Sequence, residues 1–241
     1  VANSGTNTIS VIRGVGDGTF LAPTNIPAGN YVFDLAAPDL NGDGAPDLVA
    51  LNLDDRNISV FLNGGTGVFG PRVNYPVGNY PVALAAGDLN GDGKADVVVT
   101  SYYDALVSVL LGDGTGALGP RRMFSTHFGP EQVAIADLNG DNHPDIATAN
   151  LSYGDVSILL GDGTGAFAPR TDVPSASGAY GITSGDFDDD LRQDLAVANY
   201  YDGSIVLLLN TGCAPDLDHP PVVKAPRKVT GAEGVAIAFS I

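Results

Sequence analysis

The chain has 241 residues, 44% of them hydrophobic, with 32 glycines and 16 prolines, a composition suited to a globular protein of many short strands and tight turns. Its net charge of −17 argues against recognition of nucleic-acid phosphates, and no apolar run approaches the roughly 18–20 residues of a membrane-spanning helix. Cys213 is the single cysteine, which excludes an internal disulfide.

From Val1 onward the chain repeats itself at a step of 49 residues. Val11, Val60, Val109, Ile158 and Leu207 keep this step, and so do Asn3, Asn52, Ser101, Asn150 and Asn199. Phe20, Phe69, Leu118 and Phe167 form a third series. An acidic stretch recurs with the same step from Asp39, Asp88, Asp137 and Asp186, and a preceding copy would fall before Val1. The chain is therefore expected to begin inside a repeat.

The copy from Pro81 shows the unit in order. Val82–Ala86 is a short apolar run, and an acidic loop follows. Val97-Val98-Val99-Thr100 is β-branched and continuous, as in a strand covered on both faces. A polar turn at 101–105 leads to the apolar strand Leu106–Leu111. Gly112-Asp113-Gly114-Thr115-Gly116 is a tight turn, and Leu118–Phe124 contains Pro120, which suits an outer edge strand. Four strands and no helix per 49 residues predict an all-β fold of β-propeller blades. Helical solenoids fail on the Gly and Pro that interrupt every segment, and a calcium β-roll would need nine-residue repeats. The expected division is a partial blade at 1–29, blades at 30–78, 79–127 and 128–176, and a blade at 177–212 without a clear outer strand.

The acidic loops predict metal ligation. Positions 1, 3 and 5 carry short oxygen side chains: Asp39, Asn41 and Asp43; Asp88, Asn90 and Asp92; Asp137, Asn139 and Asp141; Asp186, Asp188 and Asp190. Alternate spacing lets three such groups converge on one hard cation, which prefers six to eight oxygens. Position 7 (Ala45, Lys94, His143, Arg192) can offer its backbone carbonyl, and position 9 (Asp47, Asp96, Asp145, Asp194) closes the cage. Position 12, where a longer helix-flanked calcium loop places an acid, is Ala50, Val99, Thr148 or Val197. Up to four Ca²⁺ ions are expected, one per loop. Position 6 needs a positive φ, which makes loop four, with Leu191 there, the least regular, and loops one and two the most regular.

The Asp-x-Asn-x-Asp-Gly-x-x-Asp pattern at this step, with Gly-Asp-Gly-Thr-Gly-Ala-Phe and Phe-Gly-Pro turns between copies, resembles the FG-GAP/VCBS repeat family. That resemblance covers residues 1 to about 212. It implies calcium-binding blades of the integrin-α type, found also in bacterial surface proteins and some propeller lectins. Such rings usually have seven blades, or roughly 340 residues at this step, so about four and a half blades imply part of a larger ring or a multi-chain assembly. Residues 213–241 read as a linker and the opening of an Ig-like or cadherin-like β-sandwich.

The resemblance points to a non-enzymatic, extracellular (secreted or cell-surface) protein of adhesion, surface assembly or protein interaction. Its partner would be a protein or glycan at an exposed face, with self-assembly through incomplete blades, no nucleic acid and no membrane insertion in this segment. A carbohydrate-binding lectin, or an accessory domain of a polysaccharide-active enzyme, is the alternative. His127, His143 and His219 show no zinc spacing. Arg72, Arg121 and Arg170 are expected to be solvated partners of nearby acids. The Tyr102-Tyr103 and Tyr200-Tyr201 hairpins read first as ordinary polar turns and second as surfaces for protein or sugar recognition, while Tyr31 and Tyr80 begin a series that Gly129 and Gly178 break.

Overall fold

A computed structural model describes residues 1–212 and the strand Arg227–Val229. Among the described residues all regular structure is β, in five antiparallel sheets. The first has three strands, β1 (Ala2–Asn3), β2 (Thr8–Val11) and β3 (Thr24–Pro27). The second runs β4 (Val32–Ala36), β5 (Leu48–Asn52), β6 (Asn57–Phe61) and β7 (Val73–Pro76). The third is β8 (Pro81–Gly87), β9 (Asp96–Ser101), β10 (Leu106–Leu110) and β11 (Arg122–Ser125). The fourth is β12 (Pro130–Ala136), β13 (Asp145–Asn150), β14 (Asp155–Leu159) and β15 (Thr171–Pro174). The fifth is β16 (Ala179–Gly185), β17 (Asp194–Asn199), β18 (Ser204–Leu208) and β19 (Arg227–Val229).

Strands pair in chain order within every sheet, which is the blade topology the repeat predicts. The hydrophobic cores lie between blades rather than within them. Val49, Leu51 and Ile58 of the second sheet pack with Leu84, Val97 and Val99 of the third. Ala83, Val98 and Val109 meet Val133 and Ile146 of the fourth, and Ala147, Ala149 and Ile158 meet Leu195, Val197 and Val206 of the fifth. The second and third strands are buried on both faces, so they read as continuous apolar runs instead of alternating ones.

Two differences from the sequence expectation concern the outer strands. The outer strand of the third blade is Arg122–Ser125, shorter than Leu118–Phe124. Leu118 makes only an isolated bridge to Gly112 before Pro120, which has no N–H for a ladder. The fifth blade does have a fourth strand. β19 pairs on β18, with Ile205 opposite Val229, and comes from the stretch assigned to the β-sandwich opening. It covers a row of backbone groups that β18 would otherwise leave open. Cys213, His219 and the rest of the linker and β-sandwich opening lie outside the described residues.

The meander puts the acidic loops, between the first and second strands, at the same end as the Gly-rich turns between the third and fourth. The tyrosine hairpins and the blade-to-blade connections share the opposite end. Every complete blade carries a β-bulge at that second end of its inner strand, at Phe33, Val82, Glu131 and Tyr180.

Candidate metal centres

The four acidic loops fold alike because their own carboxylates take up their backbone N–H groups. Position 1 accepts twice in each: Asp39 from Gly42 and Gly44 (both 2.8 Å), Asp88 from Asp92 (3.1 Å) and Gly93 (2.8 Å), Asp137 from Gly140 (2.7 Å) and Asn142 (2.9 Å), and Asp186 from Asp190 (3.1 Å) and Leu191 (2.9 Å). Position 5 accepts from the N–H of position 7 in all four, Asp43 from Ala45, Asp92 from Lys94, Asp141 from His143 and Asp190 from Arg192. Asn41, Asn90 and Asn139 each accept from the N–H two residues on. One hydrogen bond per oxygen leaves lone pairs free for a cation.

Position 9 is the most informative. Asp47, Asp96, Asp145 and Asp194 are all fully buried, at 0% exposure. One oxygen of each accepts from the N–H of position 2, Leu40, Leu89, Leu138 or Phe187, at 2.8–2.9 Å. The other accepts from an N–H 16 residues further on, Asn63, Gly112, Gly161 or Asn210, at 2.7–2.8 Å. A carboxylate thus fastens each acidic loop to the turn after the third strand. No cationic side chain pairs with any of these four among the described residues. Burial pushes Asp96 up from the ordinary carboxylate value and Asp145 up to about 6, and the charges of Asp92 and Asp88, or Asp141 and Asp137, push the same way. A buried anion beside further anions is the environment that a divalent cation relieves. Turn hydrogen bonds work oppositely at position 1. The Gly44 N–H holds Asp39 below the usual range, and at Asp186 burial is outweighed by N–H bonds from Leu191 and Asp190.

In loop four, Asp186, Asp188 and Asp194 bring one oxygen each to within 4.8 Å of one another. Oxygens about 2.4 Å from a common calcium ion lie no farther apart than about that distance, so positions 1, 3 and 9 fit one ion. Position 6 has positive φ throughout, at 83° for Gly44, 77° for Gly93, 65° for Asn142 and 70° for Leu191. Position 4 does too, which the sequence reading missed: Gly42, Gly91 and Gly140 are followed in the series by Asp189 at 60°. Loop four therefore holds two non-glycine residues in the left-handed region. The reading also missed that position 7 can supply a competing cation. Arg192 pairs with Asp190 and donates to the Asn210 carbonyl, and Lys94 Nζ lies 3.5 Å from Asp92. The signal was a basic residue two places after an Asp.

At the opposite end the rings cluster. Tyr80 lies 4.7 Å from Tyr103 and 6.0 Å from Tyr102, centroid to centroid, and Tyr102 lies 5.5 Å from Phe128. Tyr180, Tyr200 and Tyr201 form a second group, with Tyr200 70% exposed, and His127 stacks on Tyr153 at 3.7 Å. The broken tyrosine series has a steric cause. A Cβ on Gly178 would stand 2.5 Å from the Tyr201 ring, and one on Gly129 would meet Ser152 Oγ at 2.7 Å and Tyr102 at 3.2 Å. Hairpin residues occupy the space there. Glu131, extruded by its bulge, is half-buried and raised by burial, and its charge helps raise the Tyr80 phenol behind the larger effect of burial. Of the outer arginines, Arg170 pairs with Asp172 at 2.9 Å, which also lies 3.8 Å from His127.

Similar solved structures are propellers. A putative 6-phosphogluconolactonase from Bacteroides fragilis is 17% identical over 95% of this chain and 69% of its own, with a TM-score of 0.67. An Agrocybe aegerita lectin with specific recognition of non-reducing terminal N-acetylglucosamine is 18% identical over 95% of this chain and 62% of its own, with a TM-score of 0.63. A streptogramin B lyase is 16% identical over 87% of this chain and 61% of its own, with a TM-score of 0.61. At these identities the likeness is one of fold, and this chain spans about three fifths of the lectin and the lyase. No curated protein matches the chain significantly. The FG-GAP-like repeat matches four times, at residues 1–50, 39–99, 88–148 and 137–197; the first match ends just past loop one, and each of the other three runs from one acidic loop past the next. With five blade-like sheets behind those matches, this chain belongs to the FG-GAP-like repeat family.

Proposed function

We propose that this chain is a non-enzymatic, extracellular propeller segment whose blades bind calcium and whose ring-bearing end engages a partner in adhesion, surface assembly or protein interaction. The observation that carries the calcium reading is the buried position-9 carboxylate, present four times without a cationic side chain. Positions 1, 3, 5 and 9 would hold the ion by side-chain oxygen, and position 7 by its carbonyl. Calcium when bound supplies charge neutralisation and joins the loop to the turn that Asp47, Asp96, Asp145 and Asp194 already fasten. Such oxygen cages suit compartments where calcium is abundant, which supports an extracellular setting. Binding only to the folded state at 100 times Kd adds about 2.7 kcal/mol per site. The melting temperature of the protein is therefore expected to rise with calcium and fall with excess chelator at neutral pH. An identical melting curve in both would remove calcium from the proposal.

A second reading, a carbohydrate-binding propeller, draws on the exposed rings Tyr80, Tyr103, Tyr200 and Tyr201 gathered at one end. Flat exposed rings beside polar groups suit sugar faces, and the similarity in fold to a lectin that recognises N-acetylglucosamine supports this reading. A glycan array probed with the chain separates the readings: saturable binding that Tyr200→Ala and Tyr201→Ala abolish supports a lectin. Turnover of a polysaccharide would overturn the non-enzymatic part of both.

A further inference from the structure

We infer that Asn90-Gly91, in loop two, is a self-modification site at which the asparagine deamidates faster than its counterparts in loops one and three. An asparagine before glycine is prone to this reaction because the glycine bears no side chain to hinder its nitrogen. The Gly91 backbone nitrogen attacks Asn90 Cγ and loses its proton, the Cγ–Nδ2 bond breaks, and ammonia leaves. The resulting five-membered imide then adds water and opens to aspartate or isoaspartate. Overall one amide and one water become one carboxylic acid and one ammonia, with no oxidant, metal or enzyme required.

The chain has four Asn-Gly pairs, and the structure holds them differently. Asn63-Gly64 is locked: Asn63 is buried, its amide donates to the Pro46 carbonyl at 3.0 Å, and its Oδ1 accepts from Gly67 at 3.0 Å. Asn41 and Asn139 are held at both reacting groups. Their Nδ2 atoms donate to Asp43 and Asp141 at 3.1 and 3.0 Å, and the attacking nitrogens of Gly42 and Gly140 donate to Asp39 and Asp137 at 2.8 and 2.7 Å. A nitrogen tied to a carboxylate gives up its proton reluctantly and cannot swing toward Cγ. In loop two neither tie is formed among the described residues. Position 1 there takes its hydrogen bonds from Asp92 and Gly93, passing over Gly91. Asp92 Oδ2, the counterpart of the oxygens that hold Asn41 and Asn139, faces Lys94 Nζ at 3.5 Å instead. Gly91 is exposed, so water reaches the imide.

The product matters because position 3 is Asp188 in loop four. Aspartate at residue 90 would give loop two that acidic composition and one more negative charge. Isoaspartate would add a backbone carbon and break the alternate spacing on which convergence at positions 1, 3 and 5 depends.

The test is peptide mapping by mass spectrometry of folded protein aged in chelator at mildly alkaline pH in heavy-oxygen water, with a parallel sample in urea. Asn90 is expected to take up solvent oxygen several-fold faster than Asn41 and Asn139, with Asn63 slowest, and the ranking is expected to collapse in urea. Lys94→Ala, which returns Asp92 Oδ2 to Asn90, is expected to slow Asn90 to the rate of its counterparts. Equal rates in the folded protein, or the same ranking in urea, would overturn the proposal. An unchanged Asn90 rate in Lys94→Ala would overturn the part assigned to Lys94.

Discussion

Leu191 sits at φ 70° with its side chain 93% exposed, so it holds a left-handed backbone and gains no packing in return. Leu191→Gly is expected to stabilise the metal-free protein by about 0.5–1 kcal/mol, the strain relieved less the greater freedom of glycine in the unfolded chain. A calorimetric melting temperature that stays put or falls would show that Leu191 imposes no strain. Asp34 ties two blades together through its two carboxylate oxygens. It accepts from Leu84 of the next blade at 2.9 Å and from Leu35 at 2.8 Å, and burial outweighs both bonds to raise it above the ordinary carboxylate value. A carboxyl raised in the folded state keeps its proton there longer than in the unfolded chain, so its contribution falls as pH rises through the raised value. Between about pH 4 and pH 7, wild type is expected to lose more stability than Asp34→Asn. Parallel melting-temperature profiles would refute this. The repeat made position 6 legible at once. Asp34 was invisible, because no other blade repeats it and its partner lies 50 residues away.

Within a blade, a polar ladder crosses the strands. Asn52 Nδ2 donates to Ser59 Oγ at 2.7 Å, and Ser59 Oγ donates to Asn74 at 2.9 Å. The first blade repeats this through Asn3, Ser10 and Asn25, and the fourth through Asn150, Ser157 and Asp172. The third blade has Ser101, Ser108 and Met123 instead, and the Ser101 and Ser108 hydroxyls are buried without a partner among the described residues. Ser101→Asn can reach Ser108 as Asn52 reaches Ser59, and is expected to gain about 1 kcal/mol, read as a rise in melting temperature of about 2–4 °C. A loss would mean that Gly78, where an added Cβ would stand 2.2 Å from Ser101 Oγ, leaves no room for the longer side chain. The 49-residue series exposed Ser101 as the exception, yet its cost became readable only with strand register. The position-9 aspartates were likewise marked as ligands from sequence. Their second task, reaching an N–H 16 residues on, depended on a turn that returns to the loop in space.

At the scale of the molecule, the four hydrophobic clusters each join neighbouring sheets, so cohesion passes from blade to blade along the array. The interblade cores left the fold class legible, since strands buried on both faces and a fixed step demand stacked sheets. The outer strand β19 was not legible, because it comes from beyond the last clear repeat and carries none of the motif.

The unbroken 49-residue step has a further consequence for what lengths the molecule tolerates. A chain assembled in equal increments can lose a whole increment and still present matching surfaces at the seam, much as a staircase stays climbable when one complete step is taken out. Excising 79–127 joins the second blade to the fourth with the loop and strand order intact, and the product is expected to melt cooperatively with three acidic loops remaining. Excising 79–117 removes less chain but leaves the outer strand of the third blade with no partner, and that product is expected to be unfolded. Circular dichroism on the pair decides the matter. If the shorter deletion folds and the longer one does not, the increment is not the unit in which this protein grows.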